Sequence, residues 1–313
     1  MDVYGLTLTT DAAKGFLDWM RHPEQVGLDQ LLRHPGYQAV LRHSQTLSFA
    51  TVRAEDFWQA VNGQPSNLYG LRDVRDNACD IERLAAYVER HHTRLVRLVA
   101  GTLQQLFVTT CWQNTGLHCI VGYDVGIGLQ GQVAINLNSE KYLADPKEID
   151  FFLIHEATHV AYERLHGPMY LDWLTQPGGL RKLVYTLVQN EGLAVYAALA
   201  PRRQAGQLAE KDYLPLQQPA LLAEKIKSLS EVLQMLQADQ PTEAVVGEVL
   251  NRLSDERLSY VVGCYLFQEI EKRGGMAAVR EAVKLPAQEF IEQQLPLLNR
   301  LGDTPLFADG SVG

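Results

Sequence analysis

One segment constrains this chain more than any other. Between Asp145 and Gly167 the sequence reads as a helix that is apolar over much of its surface, through Phe151, Phe152, Ile154, Val160, Ala161 and Leu165, yet it carries His155, Glu156 and His159. A helix that is apolar nearly all round belongs in an interior. Its start is signalled by Asp145-Pro146-Lys147-Glu148: Asp145 can cap, Pro146 suits the first helical position and Glu148 completes a capping box. Gly167-Pro168 marks its end.

His155-Glu156-Ala157-Thr158-His159 is an H-E-x-x-H sequence. A helix turns roughly 100° per residue, so side chains four apart lie one turn apart on nearly the same face. Two imidazoles so placed can reach one ion, and zinc suits nitrogen donors. Glu156 points beside the pair, where it can take a proton from a metal-bound water without being a ligand. Polar groups on a buried helix are costly without partners, and a metal would partner them.

A catalytic zinc site has three protein ligands and one open position. His166 stands one residue out of step with the spacing that metzincins use for a third histidine, so that reading is rejected. Asp172 is possible, but no motif supports it. Glu191 is the better candidate. It lies 32 positions after His159, in the apolar helical stretch Leu187-Val188-Gln189-Asn190-Glu191-Gly192-Leu193-Ala194-Val195-Tyr196. The gap lets one helix end and a second pack against the first. Gly192 weakens a helix, and its presence suggests close approach of another backbone or of the metal site.

These stretches together resemble the gluzincin group of zinc peptidases. Asn190-Glu191-Gly192-x-Ala194-x-Tyr196 is similar to a stretch of the aminopeptidase N family, and Tyr260-Val261-Val262-Gly263 resembles its later Y-x-x-G. The resemblance spans roughly residues 120–285. It implies one zinc per chain held by His155, His159 and Glu191, with Glu156 as general base for a zinc-activated water. It also implies a phenol, that of Tyr260 with Tyr265 as runner-up, at the oxyanion. No G-x-M-E-N motif is present, so nothing matches the family's anchor for a free amino group. The plan is closer to predicted bacterial zinc-dependent proteases with helical N-terminal regions. The function expected is hydrolysis of peptide bonds in peptide or protein substrates. The alternatives are an inactive peptide-binding or regulatory protein of the same fold, or a hydrolase of non-peptide amides or epoxides.

The rest of the chain frames this site. Residues 11 to about 105 read as helices joined by short turns, the clearest over roughly 78–106. Phe107 to Trp112 and Leu117 to Tyr123 read as two strands split by Asn114-Thr115-Gly116. A glycine-rich loop with Gly126, Gly128 and Gly131 follows, and then the alternating strand Gln132 to Leu137. Helices return from 146, at about 179–199, 218–238, 242–252, 255–273 and 286–298. The expectation is a mostly helical α+β protein: a thermolysin-like zinc peptidase core with a small antiparallel sheet. An N-terminal helical region (1–80) would pack on a catalytic domain (81–313) with a sheet lobe near 106–140 and a helical lobe near 146–300. By analogy with that fold, strand 132–137 would be an edge that pairs with extended substrate, with Asn136 and Asn138 adding side-chain hydrogen bonds.

Composition excludes other classes. A net charge of −9 argues against nucleic acid as a partner. No apolar run has the length of a membrane span. Four cysteines without C-x-x-C spacing do not form a disulfide scaffold, and the first twenty residues lack the basic start and apolar stretch of a Sec signal. A cytoplasmic location is the expectation. Oligomeric state is not legible.

Overall fold

Thr115–Ile120 (β2) and Gln132–Asn136 (β4) are the inner strands of a four-stranded sheet, with Leu6–Thr9 (β1) on one edge and Gly126–Leu129 (β3) on the other, in the order β1-β2-β4-β3. The structure is a computed structural model that describes residues 4–25, 27–46, 52–62, 64, 70–236 and 241–301. The expected end of one helix at 238 lies outside these. The chain divides into two units, Met1–Pro168 and Met169–Gly313.

In the first unit the sheet is mixed. β1 and β4 both run parallel to β2, and only β3 is antiparallel, to β4. This corrects the expected all-antiparallel sheet. The reversal is the turn Gln130-Gly131, where φ is +47° and +79°. Positive φ at both central residues is the two-residue hairpin turn that matches strand twist. The glycine-rich stretch expected as a loop therefore supplies an edge strand. The expected strand Phe107 to Trp112 is irregular, and β2 begins at Thr115. β1, a four-residue strand in the region expected to be helical, closes the other edge.

Seven helices are described in this unit: Asp11–Arg21 (α1), Leu28–Leu32 (α2), Pro35–Thr46 (α3), Ala54–Val61 (α4), Ala78–Leu106 (α5), Glu140–Ala144 (α6) and Glu148–His166 (α7). The pleat sends alternate side chains to opposite faces. His118 and Ile120 meet α3, where Gly36 comes so close that a Cβ would lie 2.8 Å from the Cβ of His118. The other face carries Gly126 and Gly128 and receives α7. The expected boundary near residue 80 falls at the start of α5, which packs on β1, α1 and α7.

The second unit is helical: Gly179–Ala205 (α8), Pro219–Met235 (α9), Glu243–Asp255 (α10), Leu258–Lys284 (α11) and Ala287–Leu301 (α12). α8 packs along α11 and α12, and α9 packs on α10, α11 and α12. The glycines Gly192 and Gly263 make the crossing of α8 and α11. A Cβ on Gly192 would sit 2.4 Å from Gly263 Cα, and one on Gly263 would sit 2.1 Å from the carbonyl oxygen of Val188. Gly192 thus answers the approach of another backbone. Gly275, expected to stop α11, breaks it locally at φ +64° while the helix resumes beyond. The protein is mostly helical with one small mixed sheet, and no helix described is long and apolar enough to cross a membrane.

Candidate metal centre

α7 is the element that positions the H-E-x-x-H side chains. Asp145 Oδ1 accepts from the Lys147 backbone N–H at 2.9 Å, an Asx turn ahead of the helix rather than the expected cap: the helix begins at Glu148, after Lys147, with no side-chain cap. Ile149, Leu153, Ile154, Val160 and Ala161 are fully buried. The helix is then held at both ends by polar contacts. Asp150, in its first turn, is buried and takes the Arg94 guanidinium of α5 on both oxygens. In its last turn, Arg164 donates to the carbonyls of Cys111, Gln113 and Asn114 and to Thr115 Oγ1. This is why the stretch before β2 is not a strand: its carbonyls serve a guanidinium rather than a ladder. Glu163 accepts from the backbone N–H of Gln130 in the β3–β4 turn at 2.6 Å.

His155 and His159 face the same way. Their rings meet edge to face with centroids 4.7 Å apart, and the two Nε2 atoms approach to 3.1 Å. Two imidazole nitrogens at that distance must share a proton or face a common cation. Phe152, one turn earlier, lies 6.3 Å from His155, between it and Tyr142. Glu156 is buried against β3: a Cβ on Gly126 would come within 2.9 Å of its Cγ and Oε1. A Cβ on Gly128 would strike the Glu156 carbonyl oxygen at 2.1 Å. Below them, Tyr142 is fully buried and donates to Val125 O at 3.0 Å. Burial and the nearby Glu156 carboxylate push its phenol well up, so it stays a donor.

Glu191 lies in the middle of α8, one residue before the Gly192 crossing. One ligand atom from each of His155, His159 and Glu191 lies within 4.8 Å of the others. Among the described residues, no other set of three histidine, cysteine or acidic side chains converges in this way. His166 packs its ring on Tyr162 and Asp172 sits in a short 3-10 turn, and neither belongs to the group. Two imidazoles and a carboxylate are a donor set that zinc accepts, with a coordination position left over.

Tyr260 and Tyr265 are separated on α11 by more than a third of a turn, and their surroundings differ. Tyr260 feels the charges of Glu191, Arg257 and Asp212, and Arg257 lies over its ring. Burial and the Glu191 carboxylate push its phenol well up, and Arg257 offsets this only in part. Tyr265 stands among Glu269, Lys272, Arg273 and Arg300, a charged outer face. Arg257 and Asp212, which the sequence reading passed over, carry no motif that could have flagged them.

Asn136 and Asn138 do not offer their amides outward. Asn136 Oδ1 accepts from the backbone N–H of Gly122 and of Asn138, and its Nδ2 donates to Gly70 O. Asn138 donates to the carbonyls of Gly70 and Arg72 and accepts from Asn77. Both are buried. They fasten the segment before α5 to the end of β4, which replaces the expected contact with substrate. β4 is also an interior strand rather than the expected edge, because β3 lies outside it.

Two histidines and a glutamate that could together hold a metal ion are the donor set of a zinc-dependent protein. Residues 28–293 match a family described as "Putative zinc dependent peptidase (DUF5700)". The match covers most of the chain, and the chain belongs to that family. Searches of curated proteins and of solved structures returned no match.

Proposed function

We propose that this protein is a zinc-dependent peptidase of gluzincin type, with zinc held by His155, His159 and Glu191 and peptide bonds cleaved beside Glu156. The observation that carries the reading is the convergence of those three donors, with ligand atoms within 4.8 Å, two of them on a helix that also presents a buried glutamate. Bound zinc would supply Lewis acidity, polarising a carbonyl and bringing the pKa of water towards neutrality.

The chain's own groups do the rest. Glu156 takes the proton of the attacking water and returns it to the leaving amine, a transfer of the kind general acid–base catalysis requires. The neighbouring Gly126 leaves its carboxylate clear of any side chain from β3. The Tyr260 phenol, kept protonated by burial, donates a hydrogen bond to the oxygen that gains charge as water adds to the carbonyl.

Substrate docks along β3. Asn136 N donates to Val125 O, so residues 125, 127 and 129 bond inwards to β4. Bonding direction alternates along an antiparallel strand, so Gly126 and Gly128 turn their N–H and C=O groups to the free edge. A peptide added there would gain main-chain hydrogen bonds beside Glu156 and His159, without its sequence being read. The same docking supports a peptide or protein substrate over an amide or epoxide lacking an extended backbone.

A peptide-library digest with wild type and Glu156→Gln, both assayed for zinc, tests this. Wild type should cut and Glu156→Gln should keep its zinc and not cut. Cutting at the wild-type rate by Glu156→Gln would overturn the reading.

A further inference from the structure

Arg257 occupies a position that a long side chain rarely takes. It caps α11 in the left-handed conformation, with φ +57° and ψ +34°. Non-glycine residues adopt such backbone uncommonly, and the surrounding structure has to hold them there. The contacts here are specific. Nε and Nη2 donate to the two carboxylate oxygens of Asp212 at 2.6 and 2.7 Å, the bidentate fork that arginine forms and lysine cannot. The guanidinium carbon then lies 3.2 Å from the ring centroid of Tyr260. Burial opposes the charge on Arg257, but the hydrogen-bonded Asp212 carboxylate, with a smaller pull from Glu191, outweighs it.

We propose that Arg257, locked by Asp212, is the positioning residue of this site: it clamps the Tyr260 ring and so fixes where the phenol stands beside Glu191. The inference rests on Tyr260 being the oxyanion donor proposed above. A carboxylate-recruiting role for Arg257 is disfavoured, because Asp212 already neutralises the charge and takes two of its donor positions. A purely structural ion pair is disfavoured too, because it would not need the ring contact. A stacked, bidentate arginine restricts both the tilt and the slide of the aromatic ring it covers.

The test uses the full chain and the variants Arg257→Lys, Asp212→Asn and Tyr260→Phe. Arg257→Lys keeps the charge and loses the fork, and Asp212→Asn keeps the guanidinium and the volume but loosens it. In each, zinc content should match wild type, KM should change little, and kcat should fall on the order of 10-fold to 10²-fold, as small displacements of catalytic groups do. In the Tyr260→Phe background the same substitutions should add almost nothing, since a residue that acts only through the phenol has nothing left to position. Losses that multiply in full across that cycle would overturn the proposal.

A second readout needs no hydrolysis. In protein carrying ring-13C tyrosine, the Tyr260 resonance, assigned by its loss in Tyr260→Phe, should shift in Arg257→Lys and in Asp212→Asn and stay put in Glu156→Gln. A Tyr260 resonance that does not move in either variant would also overturn it. If wild type bound zinc but cut nothing, the peptidase reading would fail while this resonance still judged the clamp.

Discussion

A Cβ on Gly128 would lie 2.1 Å from the backbone carbonyl oxygen of Glu156. β3 and α7 are therefore in backbone contact, and no side chain can stand between them. Gly128 has no positive φ, so the need for glycine is steric alone. Gly128→Ala should push β3 off α7 and lower stability by about 1–3 kcal/mol, the usual cost of overpacking. Chemical denaturation would measure it. Stability equal to wild type would show that the strand can give way freely.

Gly263→Ala sets two effects against each other. Alanine improves helix propensity by about 1 kcal/mol over glycine. At Gly263, however, the added Cβ meets Val188 O at 2.1 Å and Gly192 Cα at 2.7 Å. The crossing of α8 and α11 should dominate, giving net destabilisation of roughly 1–3 kcal/mol by overpacking. A stabilised variant in a thermal melt would mean that the two helices separate easily.

Arg164→Ala removes a charged donor from three carbonyls at once. Hydrogen bonds to charged groups contribute about 1.5–3 kcal/mol, and part of that should be lost. Cys111, whose carbonyl is one of the three, should also react faster with a thiol reagent as its loop loosens. Unchanged labelling kinetics at Cys111 would argue that the loop is held by other contacts.

Acid should weaken the first unit through His118. Its Nε2 sits 2.6 Å from Gln132 Oε1, so that nitrogen carries the proton, and Nδ1 is buried with no hydrogen-bond partner among the described residues. Burial pushes its pKa below the ordinary value, and the neighbouring His34 lowers it further, against a smaller upward pull from Gln132 and Asp11. The unfolded imidazole titrates near 6.5, so as pH falls past about that value the unfolded chain binds the proton first and stability drops. Melting temperatures should decline between neutral pH and pH 5, and the slope should flatten in His118→Gln. An equally steep slope in the variant would assign the acid sensitivity elsewhere.

The helical parts and the pairing of His155 with His159 were legible because they rest on local rules. Apolar spacing and an Asp-Pro start mark α7, and helix geometry alone puts His155 and His159 on one face. Gly192 was legible as a close approach, though the sequence could not name Gly263 as its partner. The sheet was not legible in the same way. β1 is four residues long, too short for periodicity to stand out, and its partner β2 is more than a hundred positions away. Gly126 and Gly128 look like loop residues until α7 is packed over them. Phe107 to Trp112 has strand-like composition, but Arg164 claims the carbonyls that follow it. Asn136 and Asn138 look like binding residues, and only the folded chain reveals the backbone groups they serve. Arg257 and Asp212 are 45 positions apart and meet only in the fold.

Zinc titration of metal-stripped wild type and Glu191→Ala, followed by calorimetry, reaches the central claim most directly. Wild type should take up one equivalent, and Glu191→Ala should bind more than about 10²-fold more weakly, because loss of a direct ligand exceeds the 10- to 100-fold typical of outer-shell partners. Wild type that takes up no zinc, or Glu191→Ala that binds as tightly as wild type, would contradict the site described here.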